Sequence, residues 1–123
     1  MEPRLWSKVI QPDERETKLS PAHQSRVMSE DVASELSTMM QSVVREGTGT
    51  AAAVSGIDVA GKTGTAEISS GVNQAWFIGF APADDPQIAI ACTVERTSGF
   101  GGPTCGPIFK SVAETVLRGS SGG

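Results

Sequence analysis

The chain has 123 residues, of which 38% are hydrophobic and 20% charged, with a formal net charge of -4. That length suits one modest domain or a piece of a larger one, since soluble domains most often run about 100–150 residues, and the composition points to a packed globular protein rather than disorder or a coiled coil. The acidic balance, with ten basic residues scattered along the chain, argues against a nucleic-acid partner, whose phosphates need clustered Lys and Arg.

Residues 1–28 carry Pro3, Pro12 and Pro21 among charged and polar residues. Each proline fixes its own torsion and biases its predecessor away from helix, so this segment reads as extended chain and turns. Met1-Glu2-Pro3-Arg4 lacks the cationic start and apolar run of a secretory signal, and no stretch approaches the length of a membrane span. Ser29 followed by Glu30 and Asp31 has the form of an N-cap with acidic residues complementing the helix dipole. Val32, Leu36, Met39, Met40 and Val43 then recur at helical spacing and Gly47 supplies a stop, which predicts a helix over about 29–46 with the methionines filling core.

GTGTAAAVSG, from Gly47 to Gly56, is small and flexible and reads as a closely packed loop with one helical turn over Ala51 to Val54. Ile57 to Glu67 alternates as a strand interrupted by Gly61 and Gly64. Gln74 to Ala81 and Gln87 to Glu95 are two further strands, joined by a turn at Pro82-Ala83-Asp84-Asp85-Pro86. Together these predict a three-strand antiparallel meander. A glycine-rich loop from Arg96 to Gly106 leads to Pro107, which opens a last helix with Ile108, Phe109, Val112, Ala113, Val116 and Leu117 on one face. Residues 119–123 read as a flexible tail. There are no internal repeats, and helices flanking the meander give an α+β fold.

Two motifs overlap in the first strand. Gly56 to Thr63, GIDVAGKT, matches GxxxxGK(S/T), in which backbone N–H groups wrap phosphates and a helix begins after the lysine. Here the residues after Lys62 include Gly64 and Gly71, and no helix of useful length fits. A P-loop nucleotide binder therefore stands as a rival reading without its structural context. The other motif is Lys62-Thr63-Gly64-Thr65, a K-T-G unit of the kind found in penicillin-binding proteins and β-lactamases.

The surroundings extend that match. VREGTGTAA precedes the motif, VAGKTGTAE contains it, AWFIGFAP follows, and IAIACTVE and a glycine-rich loop lead into PIFKSVAETVL. Across residues 29–118 the chain resembles the C-terminal part of a penicillin-binding protein transpeptidase domain, which implies a partial penicillin-binding/β-lactamase-like fold. The implied substrate is a peptidoglycan stem peptide ending in D-Ala-D-Ala, with β-lactams bound at the same place, and no metal or organic cofactor. An extended peptide can add to an exposed edge strand. Lys62 supplies a cation, the hydroxyls of Thr63 and Thr65 can donate to the terminal carboxylate, and Gly64 lets the substrate backbone come close. By resemblance the Thr65 backbone N–H forms half of an oxyanion hole. Strand alternation puts Thr63 and Thr65 on one face and Lys62 on the other. The bland reading of Lys62, between two glycines, is a solvated loop charge.

Trp76, Phe77 and Phe80 read as packing residues. His23, the only histidine, lies in a Pro-flanked polar segment and reads as surface; with no second histidine and no suitable carboxylate cluster, neither a Ser-His-Asp triad nor a histidine-rich metal site can be assembled. Cys92 and Cys105 read as neighbours in space, and a disulfide is open to them in an extracytoplasmic setting.

The resembled family also uses S-x-x-K, for the serine nucleophile and its activating lysine, and S-x-N. No serine here is followed three positions later by lysine or two later by asparagine; the only asparagine is Asn73. The resemblance places both motifs upstream of the first helix, so the expectation is truncation. It implies that the chain binds substrate but is inactive alone, pairs with the rest of its domain, leaves the strand at 87–95 as an open edge, and belongs to an enzyme on the outer face of a bacterial membrane. The rival class is a non-catalytic peptidoglycan- or β-lactam-binding module.

Overall fold

A computed structural model describes residues 8–10, 12, 13, 16–18 and 26–119. It divides into two units, Met1–Glu30 and Asp31–Gly123. In the first, β1 (Lys8–Ile10) pairs antiparallel with β2 (Glu16–Lys18), Val9 opposite Thr17. This hairpin lies inside the segment read as extended chain and turns. His23, Pro3 and Pro21 lie outside the described residues, as do positions 120–123 of the expected tail.

Helix α1 (Glu30–Arg45) carries Glu30 and Asp31 in its first turn and Arg45 in its last, each complementing the dipole. Its burial departs from the core face expected for it. Val44 is buried, but Leu36 and Met39 are exposed, Met39 at 59%. Only the last turns of the helix reach the sheet, with Met40 beside Ile78 and Phe80. The N–H of Gly49 then donates to the Val43 carbonyl at 2.9 Å and closes the helix, and a 3-10 turn spans Thr50–Ala52, one residue earlier than expected.

Strands β3 (Ala60–Ser69), β4 (Val72–Ala81) and β5 (Ile88–Thr97) form an antiparallel sheet in the order β3-β4-β5. The first strand starts at Ala60 rather than Ile57. Gly56 takes φ 76, a left-handed position that glycine adopts without strain, and Ile57 folds back to bridge Val54. On β4, Ala75, Phe77 and Ala81 are buried while Trp76 and Ile78 face outward, the period-two pattern of a sheet covered on one side.

Helix α2 (Gly101–Gly119) covers that inner side with Cys105, Phe109 and Ala113, all fully buried. Phe77 and Phe109 meet edge to face with centroids 5.0 Å apart, an arrangement worth about 0.5–1.5 kcal/mol beyond area burial. The helix begins six residues before Pro107, which lies inside it. GGPTCG is a poor helix former, but Gly101, Gly102, Cys105 and Gly106 are all buried; packing overrides propensity.

Cys92, opposite Phe77 in the register, and Cys105, whose thiol donates to the Ala75 carbonyl at 3.4 Å, are neighbours on this inner face. Both are free thiols in this structure. Burial, with the Cys92 thiol beside it, pushes Cys105 from 9.0 up to about 11. The folded state therefore holds its proton more tightly than the unfolded state. The resulting stability is complete below pH 9.0 and is lost as pH rises towards 11. Urea midpoints should fall across that window, and Cys105→Ala should remove that part of the fall; an unchanged slope in the variant would refute it.

Among the described residues β3 and β5 each have one strand neighbour, so both flanks are edges. With Ile78 48% exposed on the outward face, the 123-residue chain should associate as its concentration rises. Sedimentation velocity checks this, and Ala91→Lys, on the same face, should reduce it.

Candidate functional site

The site grows from the edge strand β3. Its register sets Thr63 opposite Phe77 and Thr65 opposite Ala75, the inward positions of β4, while Lys62 and Gly64 lie opposite the outward Ile78 and Trp76. The alternation read from the sequence is thus realised: the two threonines share one face and Lys62 takes the other. Thr63 and Thr65 line a cavity of about 390 Å³ with Gly47, Thr48, Thr50, Phe100, Gly101, Gly102 and Pro103. Lys62 is exposed and outside that lining, its ammonium donating to the Thr63 carbonyl at 2.8 Å.

Three elements meet at this cavity: β3, the turn that ends α1, and the first turn of α2. Contact between them is backbone to backbone. A Cβ on Gly101 would overlap the carbonyls of Gly64 and Trp76, and one on Gly102 would overlap the carbonyl of Thr48. Side chains at either position would push α2 off the strand, so the GG pair is what lets the helix N-terminus reach the site.

The hydrogen bonds follow from that approach. The N–H of Gly101 donates to Thr65 Oγ1 at 3.0 Å. It is one of the leading helix N–H groups that has no acceptor within the helix. The Thr48 and Thr63 hydroxyls lie 2.7 Å apart, and either can be the donor. No charged side chain lines the cavity; its positive character comes from the oriented amides at the start of α2. A neutral pocket with two hydroxyls on one strand face and a helix N-terminus behind them suits an anionic oxygen group of modest size.

β3 runs unbroken from Ala60 to Ser69, so strand, not helix, follows Lys62. That overturns the P-loop reading of GIDVAGKT, because a phosphate loop needs its helix there. Among the described residues no group of three or more His, Cys, Asp or Glu could hold a metal ion. Cys92 and Cys105 lie in the core and do not line the cavity. Thr48, Phe100 and Gly101 were not legible as site residues. Their sequence signals are the small-residue run GTGT and the glycine-rich loop, which say that something packs closely and not what.

Comparisons with known proteins bear on the family and the fold. A family model described as the penicillin binding protein transpeptidase domain matches residues 1–114. The chain is 37% identical to stage V sporulation protein D of Bacillus subtilis over 94% of its own length and 20% of that protein's. Among solved structures it is similar to the D,D-transpeptidase domain of a peptidoglycan glycosyltransferase from Eggerthella lenta, with 36% identity and a TM-score of 0.69 over 93% of this chain and 27% of that one. It is similar also to penicillin-binding protein A of M. tuberculosis, solved as an imipenem acyl-enzyme complex, with 32% identity and a TM-score of 0.67 over 90% and 25%. The chain thus spans about a fifth of the curated relative. The fold built around the K-T-G-T strand and the family match extending over most of the sequence lead to one conclusion: the chain belongs to the penicillin-binding protein transpeptidase domain family.

Proposed function

We propose that residues 29–118 are the C-terminal part of a transpeptidase domain and form the substrate-binding half of a peptidoglycan D,D-transpeptidase. The observation that carries this is the pairing of the Thr63 and Thr65 hydroxyls in one cavity, on an edge strand, with the α2 N-terminus behind them. A donor stem peptide ending in D-Ala-D-Ala lies along β3 as an added strand. Its terminal carboxylate takes hydrogen bonds from Thr63 and Thr65. Gly64 admits its backbone, and the Thr65 N–H meets the developing oxyanion. β-Lactams present a carboxylate and a strained amide to the same groups.

The chemistry is acyl transfer. A serine Oγ attacks the penultimate carbonyl, the amide C–N bond breaks and D-Ala leaves with the proton; an acceptor amine then attacks the ester, forms the cross-link and frees the serine. The 123 residues contain no S-x-x-K and no S-x-N, so nucleophile and proton shuttle must come from residues outside them. Lys62 faces away from the threonine cavity and places its charge toward that missing part. The substrate puts the working enzyme on the outer face of a bacterial membrane. Among the described residues no helix is long and apolar enough to cross one.

Fluorescent penicillin tests this. The chain alone should show no label that survives denaturing electrophoresis. A chimera in which residues 31–119 replace the matching segment of the Eggerthella lenta domain should be labelled. Thr65→Val in it should slow labelling by roughly tenfold to a hundredfold, the worth of one hydrogen bond to a charged group. Label on the isolated chain would show that it carries a nucleophile of its own. A folded but unlabelled chimera would contradict the reading of the threonine cavity as a β-lactam and substrate site.

A further inference from the structure

Thr65 and Thr63 are not held alike. Thr65 Oγ1 accepts the N–H of Gly101 at 3.0 Å, and a backbone N–H can only donate. One of its two lone pairs is thereby occupied and the Thr65 hydroxyl proton points away from that amide. Thr63 has no amide to do this. Its hydroxyl partner is Thr48 Oγ1 at 2.7 Å, a bond that either oxygen can donate. Which way the proton lies decides whether Thr63 offers the cavity a donor or a bare lone pair, and only the first attracts an anion.

Thr48 is built to hold its place. It follows Gly47 and precedes Gly49, whose N–H is tied to the Val43 carbonyl at 2.9 Å. A Cβ on Gly47 would lie 2.9 Å from the Val43 backbone, and one on Gly102 would overlap the Thr48 carbonyl. The backbone on either side of Thr48 is thus packed closely against α1 and α2, beside Thr63. Thr63 and Thr65 are two residues apart on one strand face, about 6.6 Å along the chain. Two hydroxyl protons at that spacing can converge on the two oxygens of one carboxylate.

We propose that Thr48 is a positioning residue: it donates to Thr63 Oγ1 as Gly101 donates to Thr65 Oγ1, so that both threonine protons are presented together to a substrate carboxylate. The proposal rests on the transpeptidase reading above. It adds that the carboxylate subsite depends on a residue from the α1–β3 turn, outside the K-T-G-T strand. The effect is confined to binding, because the Thr48 hydroxyl touches Thr63 and not the reacting carbonyl.

The test uses the Eggerthella lenta chimera and benzylpenicillin, with acylation followed by intact-protein mass spectrometry across a concentration series. Thr48→Val keeps the shape and removes the hydroxyl. It should weaken the non-covalent complex about tenfold, the worth of one hydrogen bond, while the limiting acylation rate and the fraction of protein acylated stay within about twofold of the parent. Thr48→Ser, which restores the hydroxyl, should recover most of the affinity. The proposal is overturned if the affinity of Thr48→Val matches the parent, or if its loss falls on the limiting rate instead. It is overturned too if Thr48→Ser behaves like Thr48→Val. A variant that folds poorly lowers only the acylated fraction, so the affinity of the folded remainder still decides. A folded parent chimera that is never acylated would instead defeat the transpeptidase reading, and is told apart because no variant is needed to see it.

Discussion

The backbone of Gly101 rests on the carbonyls of Gly64 and Trp76 so closely that no side chain fits between them. Much else in the second unit hangs on that approach. It brings the first N–H of α2 to Thr65 Oγ1, fixes the depth at which Cys105 and Phe109 enter the sheet, and presses Gly102 against the turn that carries Thr48. Core and site share one contact. The Phe77 and Phe109 rings hold α2 down on the inner face, and the same helix, about two turns earlier, shapes the cavity beside β3. Anything that lifts α2 from the sheet therefore weakens the fold and opens the site together.

Much of this was legible in the residues. Apolar runs separated by turn residues marked the meander. The alternation along Lys62-Thr63-Gly64-Thr65 separated the two threonines from the lysine, as the register with Ile78 and Phe77 bears out. The acidic start and glycine stop bounded α1 to within a residue of Glu30 and Arg45. What escaped was set by tertiary contact. Pro107 and the glycines before it argue for a loop, yet burial of Gly101, Gly102 and Cys105 against the sheet extends the helix back across them. The helical spacing of α1 suggested a core face, but only its C-terminal end meets the sheet, and Met39 stays exposed. Thr48 could not be found from its own neighbourhood, because its partner lies fifteen residues on and meets it only once β3 has paired.

The chemistry divides along the same line. A carboxylate needs donors held in place, and an edge strand backed by a helix N-terminus supplies them without any ionisable side chain in the lining. Acylation needs a nucleophile, and the 123 residues offer no serine in the S-x-x-K setting. On the proposed reading, binding geometry is local to this segment while bond making is not. The exposed outward face of β4, with Trp76 and Ile78, and the open edge of β5 fit a unit that shares its sheet with further chain.

The most direct measurement is a crystal structure of the Eggerthella lenta chimera acylated by a β-lactam. The ligand carboxylate should lie within hydrogen-bonding distance of both Thr63 Oγ1 and Thr65 Oγ1, inside the cavity beneath the start of α2. A carboxylate held instead by Lys62 on the opposite face of β3, with the threonine cavity filled only by solvent, would contradict the assignment of this site.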